Sequence, residues 1–228
     1  MKRTCEILPV VAVMALNSCA MSMPPGSDAG RKPELTRQKR FWVYQDSPLN
    51  SWIPGNWMPE EAGKIIATFD TQCKDHPKSG TRCIHVRIDK WQSPYWCGVA
   101  FAVPNPKDID KPYWGEEKTV GWDLRGAKRV VFWARAPKPC SVRFKVCILG
   151  DKKYGDSATF PVQTEFITLT PKWKQYSIDL KGVNLSRVVT GFCFVTNRNS
   201  QPEPNQPVEF YLDSIYWQYA PPVQRKAK

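Results

Sequence analysis

No stretch of about twelve residues in this chain carries a capped helical period of 3.6, whereas short alternating apolar runs recur from Phe41 onward. In SVRFKVCIL, Val142, Phe144, Val146 and Ile148 point one way, and Arg143, Lys145 and Cys147 the other. In IHVRID, Ile84, Val86 and Ile88 oppose His85, Arg87 and Asp89. Strands of this kind have one wet face and belong to antiparallel sheets. VVFWAR is apolar in both alternate sets, so its strand is expected to be covered on both sides. The pattern places strands near Phe41–Gln45, Lys64–Phe69, Cys83–Asp89, Gly98–Val103, Arg129–Arg135, Ser141–Leu149, Glu165–Leu169, Lys174–Leu180, Thr190–Thr196 and Val208–Gln218. Turn markers such as Asn105-Pro106, Arg125-Gly126 and Lys181-Gly182 separate them. About ten strands and no helix in one domain imply an all-β antiparallel two-sheet sandwich or a barrel.

The domain is expected to run from 41 to 219, which contains all ten tryptophans. Ahead of it, Met1-Lys2-Arg3 is a short basic start. Ile7 to Leu16 is an apolar run too short to span a bilayer and suited to an export signal. Leu16-Asn17-Ser18-Cys19 resembles a bacterial lipobox, which implies cleavage after residue 18 and lipidation of Cys19; cleavage after Ala20 is the alternative. Residues 1–19 are thus read as a lipoprotein-type signal, 20–40 as a flexible basic tether and 220–228 as a basic tail. The expected location is the bacterial cell envelope, at the outer membrane or cell surface.

The formal charge of +12 is concentrated in those ends. Leader, tether and tail hold ten of the 33 Lys/Arg and three of the 21 Asp/Glu, leaving +5 on the domain. Basic ends on an exported chain suit anionic headgroups or acidic polymers, and nucleic acid is not expected as a partner. Six of the eight cysteines fall in the domain. Export favours disulfides, and Cys73 and Cys83 flank the turn-rich CKDHPKSGTRC, so a bridge is expected there. The other four sit in or beside strands, where a small buried hydrophobe competes with a disulfide. No CxxC and no Cys/His spacing suited to zinc occurs.

Three stretches carry a resemblance: GWDLRGAKRVVFWARA, LTPKWKQYSIDLKGVNLSRVVTGFCFV and EFYLDSIYW. Their order resembles the galactose-binding-like jelly-roll sandwiches found among carbohydrate-binding modules, over about Ile65 to Tyr219. The resemblance implies a jelly-roll sandwich and a common use of it, glycan binding. Such modules often hold a structural calcium, and their final strand commonly reads L-D-D-I. Here the motif is Leu212-Asp213-Ser214-Ile215, with serine for the second acid, which leaves Asp213 with Asp46 or Asp70 as candidate ligands.

A pyranose offers an apolar C–H face and a rim of hydroxyls, so rings in loops beside polar side chains are the expected binders. DSPLNSWIPGNWMPE is such a loop. Trp57, before Met58 and Pro59, is expected to pack inward, and Trp52, among Asn50, Ser51 and Asn56, to face ligand or solvent. Trp57 remains a candidate binder, with Trp96, Trp114, Tyr154 and Asp156, because each lies in an aromatic-rich or Gly-containing loop. Trp122, Trp133 and Trp217 lie within strand patterns and read as core. Arg143 and Lys145 share the polar face of one strand; if that face is concave they favour uronates or sulfated sugars. Among enzyme motifs, G-x-S-x-G, HExxH and a phosphate-binding glycine loop are all absent, and the two histidines lie apart. Glu60-Glu61, Glu116-Glu117 and Asp123 are where a glycosidase pair would sit. The reading adopted is a non-catalytic, lipid-anchored glycan-binding protein; the alternative is an envelope module that meets another protein.

Overall fold

The structure is a computed structural model that describes residues 32, 39–48, 51–59, 67–116 and 119–219. The expected signal, Cys19, nearly all of the tether and the tail lie outside the described residues. Fourteen strands follow one another: β1 (Arg40–Tyr44), β2 (Ile53–Pro54), β3 (Ala67–Cys73), β4 (Cys83–Ile88), β5 (Trp96–Ala102), β6 (Pro104–Asn105), β7 (Asp108–Pro112), β8 (Ala127–Arg135), β9 (Cys140–Val146), β10 (Val162–Gln163), β11 (Ile167–Leu169), β12 (Lys174–Asp179), β13 (Thr190–Asn197) and β14 (Val208–Tyr219). One 3-10 turn, Arg198–Ser200, follows β13.

Two antiparallel six-stranded sheets result. Sheet A has the order β12-β8-β14-β4-β3, with β1 also on β14; sheet B has the order β10-β9-β13-β5-β2, with β11 also on β9. The chain changes sheet at most connections, as a jelly roll does. Between the sheets lies one core. Phe132 and Phe210 from sheet A meet Phe144, Phe192 and Phe194 from sheet B, with ring centres 4.4 Å (Phe132–Phe144) and 5.2 Å (Phe194–Phe210) apart. On β4 and on β9 from Val142 to Val146 the alternation does what it predicts, one residue set buried and the other half-buried, whereas β5, β13 and β14 are buried along most of their length.

All ten expected strands form, with ends shifted by a few residues. β2, β6, β7 and β10 were not anticipated; they are two to five residues long and contain or follow proline, too short to show a period. β9 ends at Val146 rather than Leu149. Cys147 turns out of the strand at φ 55°, and is buried rather than on the wet face.

The DSPLNSWIPGNWMPE loop behaves differently from the expectation for Trp52, which is fully buried. Its ring packs 5.8 Å from Phe41 and lies flat on Gly191, where an added Cβ would sit 2.6 Å from the ring. Trp52 is therefore a plug at the start of β13 and cannot meet a ligand. Trp57 is half-buried and does pack inward, edge-on to Phe69 and Phe194.

All six domain cysteines are buried free thiols. Cys73 and Cys83 are direct partners across the β3–β4 ladder, so the expected pair is brought together, but unbridged in this structure. Burial and the neighbouring Cys73 push the Cys83 thiol up to about 12.

Candidate functional site

The outer face of sheet A is closed by its own side chains. The β3–β4 connection folds over it, and Asp213 holds it there: its carboxylate accepts the Lys78 amide at 2.7 Å and the Ser79 amide at 3.1 Å. A bulge in β14 between Asp213 and Tyr216 places Ser214 at φ 52°, and Ser214 donates to Asp213 at 3.0 Å. Ser214 is thus part of this latch. Asp46 secures the far end by accepting the Thr81 and Arg82 amides.

Cations on this face are matched. Lys78 lies 4.3 Å from the Trp133 ring centre, Arg135 4.6 Å from Tyr211 and Arg40 4.5 Å from Tyr216. Glu209 accepts from Arg87 at 3.1 Å and Tyr211 at 3.0 Å, and pairs with His85 at 3.0 Å. Val131 and Trp133 are covered as the doubly apolar VVFWAR pattern implies.

The candidate calcium ligands do not converge. Asp213 and Asp46 use their oxygens on loop amides, and Asp70 accepts the Gln72 amide at 2.7 Å. The described residues hold no group of three His, Cys, Asp or Glu placed to share an ion. These three carboxylates do not fit a calcium site.

Asp156 is also removed from the binding set, because it is fully buried. It accepts from the Leu149, Val189 and Thr190 amides and from the Thr190 hydroxyl, at 2.6–3.0 Å. Burial pushes its carboxyl above the ordinary range, although those donors pull it down. Its work is to tie the loop after β9 to β13.

The outer face of sheet B carries the rest: Arg143, Lys145, Val195 and Trp96 are half-buried there, and Ser141, Cys193, Gly98 and Ala100 are buried. Val142, Phe144 and Val146 of β9, Phe192 and Phe194 of β13, and Cys97, Val99 and Phe101 of β5 are in the core. Alternation therefore puts Ser141, Arg143 and Lys145, Cys193 and Val195, and Trp96, Gly98 and Ala100 on the outside. Register aligns them in rows: Lys145–Cys193–Ala100 and Arg143–Val195–Gly98. Gln163 of β10 adjoins Lys145 on the other side.

The rows have a small-residue floor and aromatic ends. At one end stand Trp96, half-buried, and Tyr95, 46 % exposed, with Arg198 5.6 Å from the Tyr95 ring. Buried Gln201 fixes that end, donating to the Ser141 and Asn197 carbonyls. At the other end is the Trp114–Gly115 turn. It reaches from Gly55, beside β5, where an added Cβ would be 2.6 Å from the Trp114 ring, to Leu149 and Tyr154 beyond β9. Trp114 and Tyr154 are half-buried. From Trp96 to Ala100, where Gly55 bonds β5 beside the Trp114 ring, the strip is about 13 Å long, at about 3.3 Å per strand residue.

Trp96, Trp114, Tyr154, Arg143 and Lys145 are thus brought to one face, and Trp52 and Asp156 are not. Tyr95, which the aromatic-rich KWQSPYWCG stretch sets beside Trp96, joins it on this face. Gln163 gave no signal in the sequence, since its two-residue strand has no period. An open cleft of about 450 Å³ lies elsewhere, at the ends of β8 and β12, between Arg125, Lys128 and Lys181. Arg125 there is already held by Asp123 at 2.5 Å, which keeps that carboxyl below the usual range.

No family model matches the chain, and no curated protein matches it. Solved structures similar to it include a family 11 carbohydrate-binding module from Clostridium thermocellum in complex with a beta-1,3-1,4-mixed-linked tetrasaccharide. That module is 13% identical, with a TM-score of 0.47, over 80% of this chain and 95% of that one. A family 30 carbohydrate-binding module is 15% identical with a TM-score of 0.47, over 79% of this chain and 99% of that one.

Proposed function

We propose that the chain is a non-catalytic glycan-binding protein and that the outer face of sheet B is its binding surface. The observation that supports this is the strip itself: rings at both ends, cations and an amide between them, on a flat floor of small residues. Rings stack on the C–H faces of sugars while side chains with N–H groups bond the hydroxyls. A strip about 13 Å long suits a short run of linked sugars rather than a single ring. Lipid anchoring at the cell envelope through Cys19 completes the proposal and rests on the Leu16-Asn17-Ser18-Cys19 sequence alone. A lipid analogue fed to cells should label the chain and fail to label Cys19→Ser.

Affinity electrophoresis in gels containing polysaccharides tests the binding surface. Trp96→Ala and Trp114→Ala should each weaken retardation about tenfold, a loss of about 1.4 kcal/mol, without lowering the unfolding midpoint by more than a few degrees. Trp133→Ala, on the closed face, should leave binding intact. Retardation by no polysaccharide, or equal loss from Trp133→Ala, overturns the proposal.

A further inference from the structure

Building on that reading of the outer face of sheet B, we propose that it selects anionic glycans, seating a carboxylate or sulfate of the polymer between Arg143 and Lys145. The two side chains are two residues apart on one strand face, about 6.6 Å along β9. Among the described residues the outward positions of β5, β9, β10 and β13 carry no acidic side chain; Glu116, at the Trp114 end, accepts the Trp114 amide at 3.1 Å. Lys145 is half-buried, between Gln163 and Cys193, and makes no hydrogen bond or ion pair with the described residues. The Cys193 thiol is no counter-ion, because burial pushes it up to about 12 and keeps it neutral.

Arg143 is nearly as free. Its guanidinium rests 4.3 Å from the centre of the Phe166 ring, and its Nε is buried with no hydrogen-bond partner among the described residues. Its one carboxylate neighbour, Glu165, is 3.5 Å away, with a side chain 95 % exposed. An ion pair that open is screened and easily exchanged for a better-placed oxyanion. Two adjacent cations without a buried counter-charge repel each other, and an anion shared between them relieves that repulsion while forming charge-assisted hydrogen bonds. A neutral sugar relieves nothing.

The full chain in detergent is titrated with polygalacturonate, chondroitin sulfate and neutral mixed-linkage β-glucan at low and high salt. At low salt at least one acidic polymer should bind about tenfold or more tightly than the glucan, and high salt should erase the difference. Which acidic polymer wins separates carboxylate from sulfate. Arg143→Ala and Lys145→Ala should each cost the acidic polymer about tenfold and the glucan less than about twofold. Lys181→Ala, at the far cleft, should cost neither. Preference for the glucan, or equal loss from Lys181→Ala, overturns the anionic assignment and leaves the glycan-binding reading standing. Binding of none of the three, with neutral and acidic polymers alike failing on a wider panel, removes both.

Discussion

On the outer face of sheet A, Arg87 has Glu209, Arg135 has Tyr211, Lys78 has Trp133 and Arg40 has Tyr216. On the outer face of sheet B, Lys145 has no hydrogen-bond or ion-pair partner among the described residues, and Arg143 has an exposed carboxylate and the ring of Phe166. Both faces come from the same alternation, and both mix aromatics with cations. They differ in what lies on top. The β3–β4 connection, drawn down by Asp213 and Asp46, covers one and satisfies it; on the other, Arg143 and Lys145 stay half-buried beside a buried floor. Aromatic content alone therefore does not mark a binding face in this fold. A cation with neither a ring nor a carboxylate beside it among the described residues, as Lys145 is, does.

Substitutions can break this contrast or sharpen it. The largest effect should come from Trp52→Ala. It empties the plug over Gly191 and should cost about 3–5 kcal/mol in chemical denaturation, far more than Trp96→Ala on the outer face of sheet B. A small loss would mean that the loop closes over the gap and that Trp52 is not structural. Next, Asp213→Ala strands the Lys78 and Ser79 amides and should cost about 1–3 kcal/mol while leaving glycan affinity unchanged. Loss of affinity would show that the two faces are coupled. The smallest effect concerns pH. Burial raises the Asp213 carboxyl above its ordinary value. Between about 3.9 and that raised value the folded state holds the proton that the unfolded state has released, so stability falls as pH rises through the window. Asp213→Asn should flatten that part of the stability–pH curve, with a slope change of at most about 1.4 kcal/mol per pH unit. An unchanged slope would assign the proton to another group.

What could be read in advance follows the length over which each signal is spread. Strand identity rests on five or more alternating residues, so β4, β8, β9 and β14 were legible, with the facing of β4 and β8 and that of β9 as far as Val146. The placing of a single loop ring rests on contacts distant in sequence. Nothing around Trp52 says that Gly191 waits beneath it, and its polar neighbours Asn50, Ser51 and Asn56 pointed the wrong way. Asp156 misled for a similar reason. A carboxylate in a glycine-containing loop reads as a solvent-facing ligand until Val189 and Thr190 supply the amides that bury it. Arg143 and Lys145 were legible because period two fixes their face without knowledge of any contact. Cys73 and Cys83 were legible as a pair, since a hairpin sets them opposite each other whether or not they are joined.

The edge of sheet A has one more consequence. β1 lies along the last third of β14, with Arg40 opposite Gln218, and the Tyr219 amide bonds the Lys39 carbonyl at 2.9 Å. The chain thus enters and leaves the sandwich through one point, like a pendant on a single ring. A domain with such a doorway can be set into a surface loop of a host protein with little loop-closure cost, carrying the outer face of sheet B with it.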